Sequence, residues 1–174
     1  MFGFKNKLSV IQIINDDLDE YYTHAKDTIL DKSNEDGLFE EYLAKEGANA
    51  NNFHLILYQF VFSIYWLGIQ MSDIKNKNKF SAVFITISNQ FFEKEFSQKI
   101  DITNILNEYQ NVLSHSDEEA WCQDLIKLFF KKLNINYTNY KNFNIYLLTT
   151  IPEYIIVYRD FLEELNKNYK LVDV

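Results

Sequence analysis

FHLILYQFVFSIYWLGIQM, residues 53–71, is the most hydrophobic stretch of the chain and the one that decides its fold. Its length is close to that of a membrane span, but His54, Gln59, Ser63 and Gln70 interrupt the apolar run. We therefore predict a helix that is buried on most sides at the centre of a helical bundle. A single membrane span is the alternative, and the lysines that follow would then place its C-terminal side in the cytoplasm.

The composition of the 174 residues also favours helices. Hydrophobic residues make up 47% of the chain and aromatic residues 17%, which is enough to bury a sizeable core in one domain. Only four glycines and one proline are present, although sheet proteins use many of both in their turns. The single cysteine excludes an intramolecular disulfide and fits a reducing compartment. We predict one all-α domain over residues 1–174, a cytoplasmic bundle of about seven helices.

Hydrophobic periodicity predicts a first helix from about residue 8 to about residue 30. Apolar side chains recur there every three or four residues and form one stripe: Leu8, Ile11, Ile14, Leu18, Tyr22, Ala25 and Ile29. The other predicted helices are a short one after residue 35, the central helix, and helices over residues 80–96, 101–113, 116–133 and 152–169.

Capping residues mark three of these helix starts. Asp101 is a predicted N-cap, and Ser116 followed by Glu119 has the spacing of a capping box. Pro152 suits the first turn of the last helix, because a proline there loses no helical hydrogen bond.

The formal net charge of −8 belongs to one short stretch. Residues 16–46 contain three lysines against eleven carboxylates: Asp16, Asp17, Asp19, Glu20, Asp27, Asp31, Glu35, Asp36, Glu40, Glu41 and Glu46. The rest of the chain is neutral, with fourteen cations and fourteen anions. At about 100° per residue, part of this charge falls opposite the apolar stripe of the first helix, at Asp16, Glu20, Asp27 and Asp31. This acidic face would attract a basic partner and repel nucleic acid and anionic membranes.

No catalytic arrangement of residues is recognisable. His115 precedes Ser116 and three acids, but neighbouring helical residues point in different directions and catalytic triads combine distant segments. Cys122 has acidic neighbours, which disfavour a reactive thiolate and indicate a buried structural thiol. We therefore predict no catalysis and no cofactor.

A metal site is kept as an alternative. His24 lies one turn after Glu20 on the first predicted helix, and Asp16 and His54 could complete a set of ligands. Di-iron bundles use Glu-x-x-His on two helices, whereas the spacing here is one residue longer and occurs once.

Two motifs carry a resemblance to a known family. DDLDEYYTHAKDTI, residues 16–29, is an acidic, tyrosine-rich helix, and LILYQFVFSIYWLGIQM, residues 55–71, ends in a Tyr-x-x-Gly pattern at Tyr65 and Gly68. Over roughly residues 15–90 this layout resembles the helical polymorphic-toxin immunity proteins of the nuclease-inhibitor type. The second half lacks the tryptophan-rich signature of that family, apart from Trp121. The resemblance implies an all-helical cytoplasmic protein that binds and blocks one cognate toxin and has no enzymatic activity.

We therefore predict an immunity or antidote protein that neutralises a basic toxin through its acidic surface, since nucleases that act on polyanions tend to be basic. The predicted contact residues are Asp16, Asp17, Glu20, Asp27, Asp31, Glu35, Asp36, Glu40 and Glu41, with Tyr21 and Tyr42 as aromatic anchors and Tyr22 and Phe39 as further candidates. The alternatives are a phage or plasmid anti-defence inhibitor that mimics DNA, the metal-binding helical bundle described above, and an acidic face that serves only solubility. The sequence leaves the oligomeric state open.

Overall fold

The structure is a computed structural model that describes residues 6–45, 49–116 and 120–172. Its elements are β1 (Lys7–Ser9), α1 (Val10–Asp17), a π-helical turn (Leu18–Tyr22), α2 (Thr23–Glu35), α3 (Leu38–Ala44), α4 (Ala50–Met71), α5 (Lys77–Phe96), α6 (Ile102–His115), α7 (Trp121–Leu133), a 3-10 turn (Tyr137–Asn139), α8 (Lys141–Asn168) and β2 (Lys170–Val172). Because α1, the π turn and α2 run on without a break, the described residues form seven helices. The predicted all-α single-domain bundle is confirmed.

α4 is the central helix of the bundle, as the sequence predicts. Every residue from Phe60 to Ile69 is buried, and the helix packs against α2, α5, α6, α7 and α8. Among the described helices, α4 alone has the length and composition of a membrane span, and 72% of its most apolar window is buried inside the protein. Its polar side chains have partners, because Ser63 Oγ donates to the carbonyl oxygen of Gln59 at 2.7 Å and Gln70 Nε2 donates to Ser81 Oγ at 3.1 Å.

Gly68 allows α4 and α8 to cross closely. A Cβ atom at this position would lie 3.2 Å from the carbonyl oxygen of Ile155 and 3.2 Å from Cδ1 of Tyr158. The absence of a side chain therefore brings the backbone of α4 against α8, and this places Tyr65 and Tyr158 side by side with ring centroids 4.8 Å apart.

The first helix begins later than predicted and follows a different stripe. Leu8 belongs to β1, which pairs in parallel with β2, and Ser9 is the N-cap of α1. Ile11 is 46% exposed, whereas the buried face of α1 consists of Val10, Ile13, Ile14 and Asp17. The predicted stripe is therefore wrong at its N-terminal end.

The π turn explains why the rest of the stripe is correct. In a continuous α-helix Tyr22 would be rotated by about 80° from Ile14, since eight residues exceed two full turns. A π turn uses more residues per turn and brings Tyr22 back towards the core, so that Ile14, Tyr22, Ala25 and Ile29 are all buried.

Pro152 lies inside α8 and does not begin it, which corrects the prediction. A proline in a helix leaves the carbonyl oxygen four residues earlier without its usual N–H donor. Here that oxygen belongs to Leu148, and the thiol of Cys122 lies 3.9 Å away as a donor from α7. Burial raises the pKa of the Cys122 thiol to about 11, so the sulfur keeps the proton that it donates.

Of the two other predicted helix caps, one is confirmed and one falls partly outside the described residues. Asp101 caps α6 as predicted, since its Oδ1 accepts a hydrogen bond from the backbone N–H of Thr103 at 3.1 Å. The capping box of Ser116 involves Glu119, which lies outside the described residues. Ser116 Oγ donates to Asp124 Oδ2 on α7 at 2.8 Å.

Candidate functional site

Asp17 lies inside the bundle, so its prediction as a contact residue is wrong. Its side chain belongs to the buried face of α1, and the residue is 3% exposed. Tyr158 Oη donates to Asp17 Oδ2 at 2.7 Å, and Tyr22 Oη lies 3.1 Å from Tyr158 Oη. Burial raises the pKa of Asp17 to about 7 against the effect of the Tyr158 hydrogen bond, and the nearby charges of Asp16 and Glu20 add to the rise.

Two of the predicted aromatic anchors are also part of the core. Tyr22 is fully buried, with its ring 4.3 Å from that of Tyr65, and Tyr42 is 8% exposed and packs edge-on against Phe53 at 5.3 Å. Tyr42 is therefore wrong as an anchor, and so is Tyr22. Tyr21 is partly exposed and remains available to a partner.

Asp36 and Glu41 fasten the α2–α3 segment to the start of α8. Asp36 Oδ2 accepts a hydrogen bond from the backbone N–H of Phe143 at 2.5 Å, and Glu41 accepts one from the hydroxyl of Tyr140. A carboxylate at a helix N-terminus satisfies a free N–H group and interacts favourably with the helix dipole. These two predicted contact residues have structural partners within the chain.

The remaining carboxylates of residues 16–45 point outward. Asp27 and Glu35 are exposed but pair with Lys26 at 2.6 Å and with Lys32 at 2.5 Å. Glu46 lies outside the described residues. The others are exposed and form no ion pair with a described residue, and we call them the outward carboxylates: Asp16, Asp19, Glu20, Asp31 and Glu40.

A groove lies between α2 and α8. Both helices pack on α4 and make few direct contacts with each other, and Tyr65 of α4 lies between them at the π-turn end. One hollow of about 220 Å³ lies at the π-turn end, lined by Tyr21, His24, Tyr65, Glu153, Tyr154, Val157, Tyr158 and Phe161. A second hollow of about 440 Å³ lies at the other end of the same seam, lined by Lys32, Glu35, Asp36, Asn142, Phe143, Ile145 and Tyr146. We call the two hollows and the seam that joins them the α2–α8 groove.

The acidic face of the first helix borders this groove. His24 lines the π-turn hollow, Glu20 lies one turn before it, and Asp31 lies two turns after it on the same side of the helix. Glu35 continues the row into the second hollow. The structure thus places carboxylates along the α2 side of an apolar groove, which the sequence alone did not reveal.

The π turn shapes the end of the groove next to Tyr21. Side-chain hydroxyl groups donate hydrogen bonds to two of its backbone carbonyl oxygens. Tyr65 Oη donates to the carbonyl oxygen of Tyr21 at 3.2 Å, and Thr23 Oγ1 donates to that of Leu18 at 3.0 Å. The Tyr65 hydrogen bond thus connects α4 to the π turn at this end of the groove.

The structure does not bring the proposed metal ligands together. His54 is half-buried and stacks on Phe39, with ring centroids 6.0 Å apart and planes inclined by 13°. His24 lines the groove beside Tyr21 instead. Within residues 6–45, 49–116 and 120–172, no group of three or more His, Cys, Asp and Glu side chains could hold a metal ion.

Comparison with protein-family models, curated proteins and solved structures finds no match for this chain. A proposal about its function therefore has to stand on the charges, contacts and cavities described above.

Proposed function

We propose that this protein is an immunity or antidote protein that binds and neutralises a basic bacterial toxin without catalysing a reaction. The observation that carries the proposal is the row of outward carboxylates, including Glu20 and Asp31, beside the apolar α2–α8 groove. Carboxylates steer a cationic partner over a distance, and the adjoining apolar surface provides the short-range contacts that charge alone does not supply.

The like charges on this face favour a partner. Asp16 and Glu20 are four residues apart, and like charges at that spacing destabilise a helix by about 0.2–0.5 kcal/mol per pair. Cations from a bound protein would remove this repulsion, which adds to the favourable free energy of binding. The outward carboxylates are therefore best explained as one half of a charged interface.

Other exposed helices show the mixed charge that is typical of a solubilising surface. On α7, Lys127 pairs with Asp124 at 2.7 Å, and Lys132 pairs with Glu108 of α6. Mixed signs keep a surface soluble without a strong local field. The first helix also has two such pairs, Lys26 with Asp27 and Lys32 with Glu35, but four of its exposed carboxylates have no cation paired with them among the described residues: Asp16, Asp19, Glu20 and Asp31.

A growth assay tests the proposal. The chain is co-expressed in a bacterial host with the products of its flanking genes, and we expect it to restore growth against one of them. The double variant Glu20→Lys with Asp31→Lys should lose this protection. The matched control, Asp73→Lys with Glu93→Lys, changes two exposed acids elsewhere by the same charge and should retain it. Flanking genes without a toxic product, or protection that survives charge reversal at Glu20 and Asp31, would contradict the proposal.

A further inference from the structure

The α2–α8 groove has one exposed aliphatic side chain of α8 in each hollow. Val157 is 52% exposed in the π-turn hollow, and Ile145 is 51% exposed in the second hollow. They are twelve residues apart on α8, which is about 18 Å at the rise of an α-helix. Each lies among aromatic side chains of its hollow, and a contiguous exposed apolar patch of this kind marks an interaction site more than a single exposed side chain does.

Aromatic walls surround both of these side chains. In the π-turn hollow, Tyr21 and Phe161 lie with ring centroids 5.8 Å apart, and Val157 stands beside them. Between the hollows, Thr28 and Tyr146 lie next to the hydroxyl of Tyr154. Tyrosine rings offer apolar area at low conformational cost, and their faces attract cations.

Carboxylates stand on both sides of the groove. Glu35 belongs to the α2 side and Glu153 to the α8 side, and both line the hollows. Asp31 lies on α2 between the two ends. Lys32 is the one cation among the residues that line the two hollows, and Glu35 neutralises it. An occupant of the groove would therefore have to be basic and to carry apolar side chains.

We propose that the α2–α8 groove is the docking site for a basic amphipathic helix of the partner, with one apolar side chain of that helix in each hollow. A helix fits because the two hollows lie along the seam between two helices, where an amphipathic helix can lay its apolar face. The two anchors of that helix would be about 11 residues apart, since eleven residues make about three full turns, keep both anchors on one face and span about 16 Å. Lysines or arginines of the same helix would face Asp31 and Glu153. The inference rests on the proposed function only in taking the partner to be the toxin.

A second apolar groove on the same bundle provides a control. It lies between α1 and α5 and is lined by Ile11, Lys79, Ala82, Val83, Thr86, Ile87 and Gln90. Ile11 is 46% exposed, which is close to the exposure of Val157. This groove contains a lysine and no carboxylate among its lining residues, so a basic helix has no charged counterpart there.

Selection from a displayed library of random 20-residue peptides tests the docking site without a known partner. We expect the wild-type chain to enrich peptides of net positive charge with two large apolar residues about 11 positions apart, which places both on one face of a helix. Backbone amide chemical shifts on addition of an enriched peptide should change along α2 and α8. Enrichment of neutral or acidic peptides, no enrichment, or shifts along α1 and α5 would overturn the proposal.

Matched variants identify the anchors. Val157→Lys and Ile145→Lys should each weaken binding of an enriched peptide by at least about tenfold, as expected for a central apolar anchor. Ile11→Lys should change it by less than about twofold, and Val157→Ile should retain it. Because all three lysine substitutions are at exposed positions, equal melting temperatures will show that the fold is intact. Loss of peptide binding with Ile11→Lys, or unchanged peptide binding with Val157→Lys or Ile145→Lys, would overturn the two-anchor docking site.

Growth protection separates this inference from the proposed function. If Val157→Lys still protects against the toxin, the groove is not the docking site although the protein remains an antidote. If the groove binds basic peptides but no flanking gene product is neutralised, the antidote function is wrong and the docking site stands.

Discussion

The acidic stretch contains two kinds of carboxylate that look alike in the sequence and differ in the structure. Three of them, which we call the inward carboxylates, accept hydrogen bonds within the chain: Asp17 from Tyr158, Asp36 from the N–H of Phe143, and Glu41 from Tyr140. Asp17 is buried, Asp36 is half-buried, and Glu41 is exposed apart from this bond. The outward carboxylates defined above form no ion pair with a described residue.

The difference shows that charge density alone does not define a binding surface. Asp17 joins α1 to α8 through the core. Asp36, at the end of α2, and Glu41, on α3, join those helices to the start of α8. They thereby fix the walls of the α2–α8 groove. Among the outward carboxylates, Glu20 and Asp31 border that groove and stay free to meet cations. Removing an inward carboxylate should therefore change stability, and removing an outward one should change binding.

The largest stability effect is expected at Asp17 and depends on pH. Because its pKa rises from 3.8 to about 7 on folding, the folded state binds more protons than the unfolded state between these values. Stability from this group is therefore full below about pH 4 and is lost as the pH rises through 7. The change in pKa corresponds to roughly 4 kcal/mol. Urea unfolding between pH 4 and pH 8 measures it.

Asp17→Asn is the reference for this measurement, because the amide has a similar shape and does not titrate. The free energy of unfolding of the wild type, relative to Asp17→Asn, should fall between pH 4 and pH 8. Asp31→Asn, at an outward carboxylate two turns or more from Asp17, should follow the wild type. A wild-type curve parallel to that of Asp17→Asn would show that Asp17 titrates normally and is not buried.

Asp36 should have the next largest effect. Asp36→Ala removes the carboxylate that accepts the Phe143 N–H group in the first turn of α8, and the loss of such a cap costs about 1 kcal/mol. Glu40→Ala, on the exposed face of α3, should change the free energy of unfolding by less than about 0.5 kcal/mol. Chemical denaturation at pH 7 compares the two, and equal effects would remove the distinction between inward and outward carboxylates here.

A smaller effect is expected at Tyr140, the donor to Glu41. Burial raises the pKa of Tyr140, with Glu41 adding to the rise, so the hydroxyl keeps its proton. Tyr140→Phe deletes the hydroxyl alone and should lower the free energy of unfolding by about 0.5–1.5 kcal/mol, the usual net value of a hydrogen bond. Tyr137→Phe, in the preceding 3-10 turn, serves as the control. If Glu41→Gln added a full further loss to Tyr140→Phe, the two groups would not be interacting.

The sequence predicted those features of the fold that depend on local pattern. The long apolar run of α4 indicated a central helix, and Asp101 before Ile102 indicated the start of α6. It did not predict the π turn, since no residue type marks a wider helical turn. Pro152 was predicted at a helix start but lies inside α8, where the thiol of Cys122 from another helix is 3.9 Å from the carbonyl oxygen that the proline leaves without an N–H donor.

The sequence predicted the acidic charge of the candidate site but not its three-dimensional arrangement. Asp17 was assigned to the surface because its buried partner, Tyr158, is 141 residues away in the chain. The α2–α8 groove joins Tyr21 and Val157 across a similar distance, so no local spacing could reveal it. Packing between distant segments thus determines which carboxylates of the acidic stretch are buried and which are exposed.

The most direct test of the account measures how fast the chain associates with the toxic product of its flanking gene. Wild type, Glu20→Lys with Asp31→Lys, and the control Asp73→Lys with Glu93→Lys are compared by stopped-flow fluorescence at low and high salt. We expect the first double variant to associate at least about tenfold more slowly at low salt, with an unchanged melting temperature, and the control to match the wild type. Equal association rates for all three proteins would contradict the claim that the outward carboxylates form the binding surface.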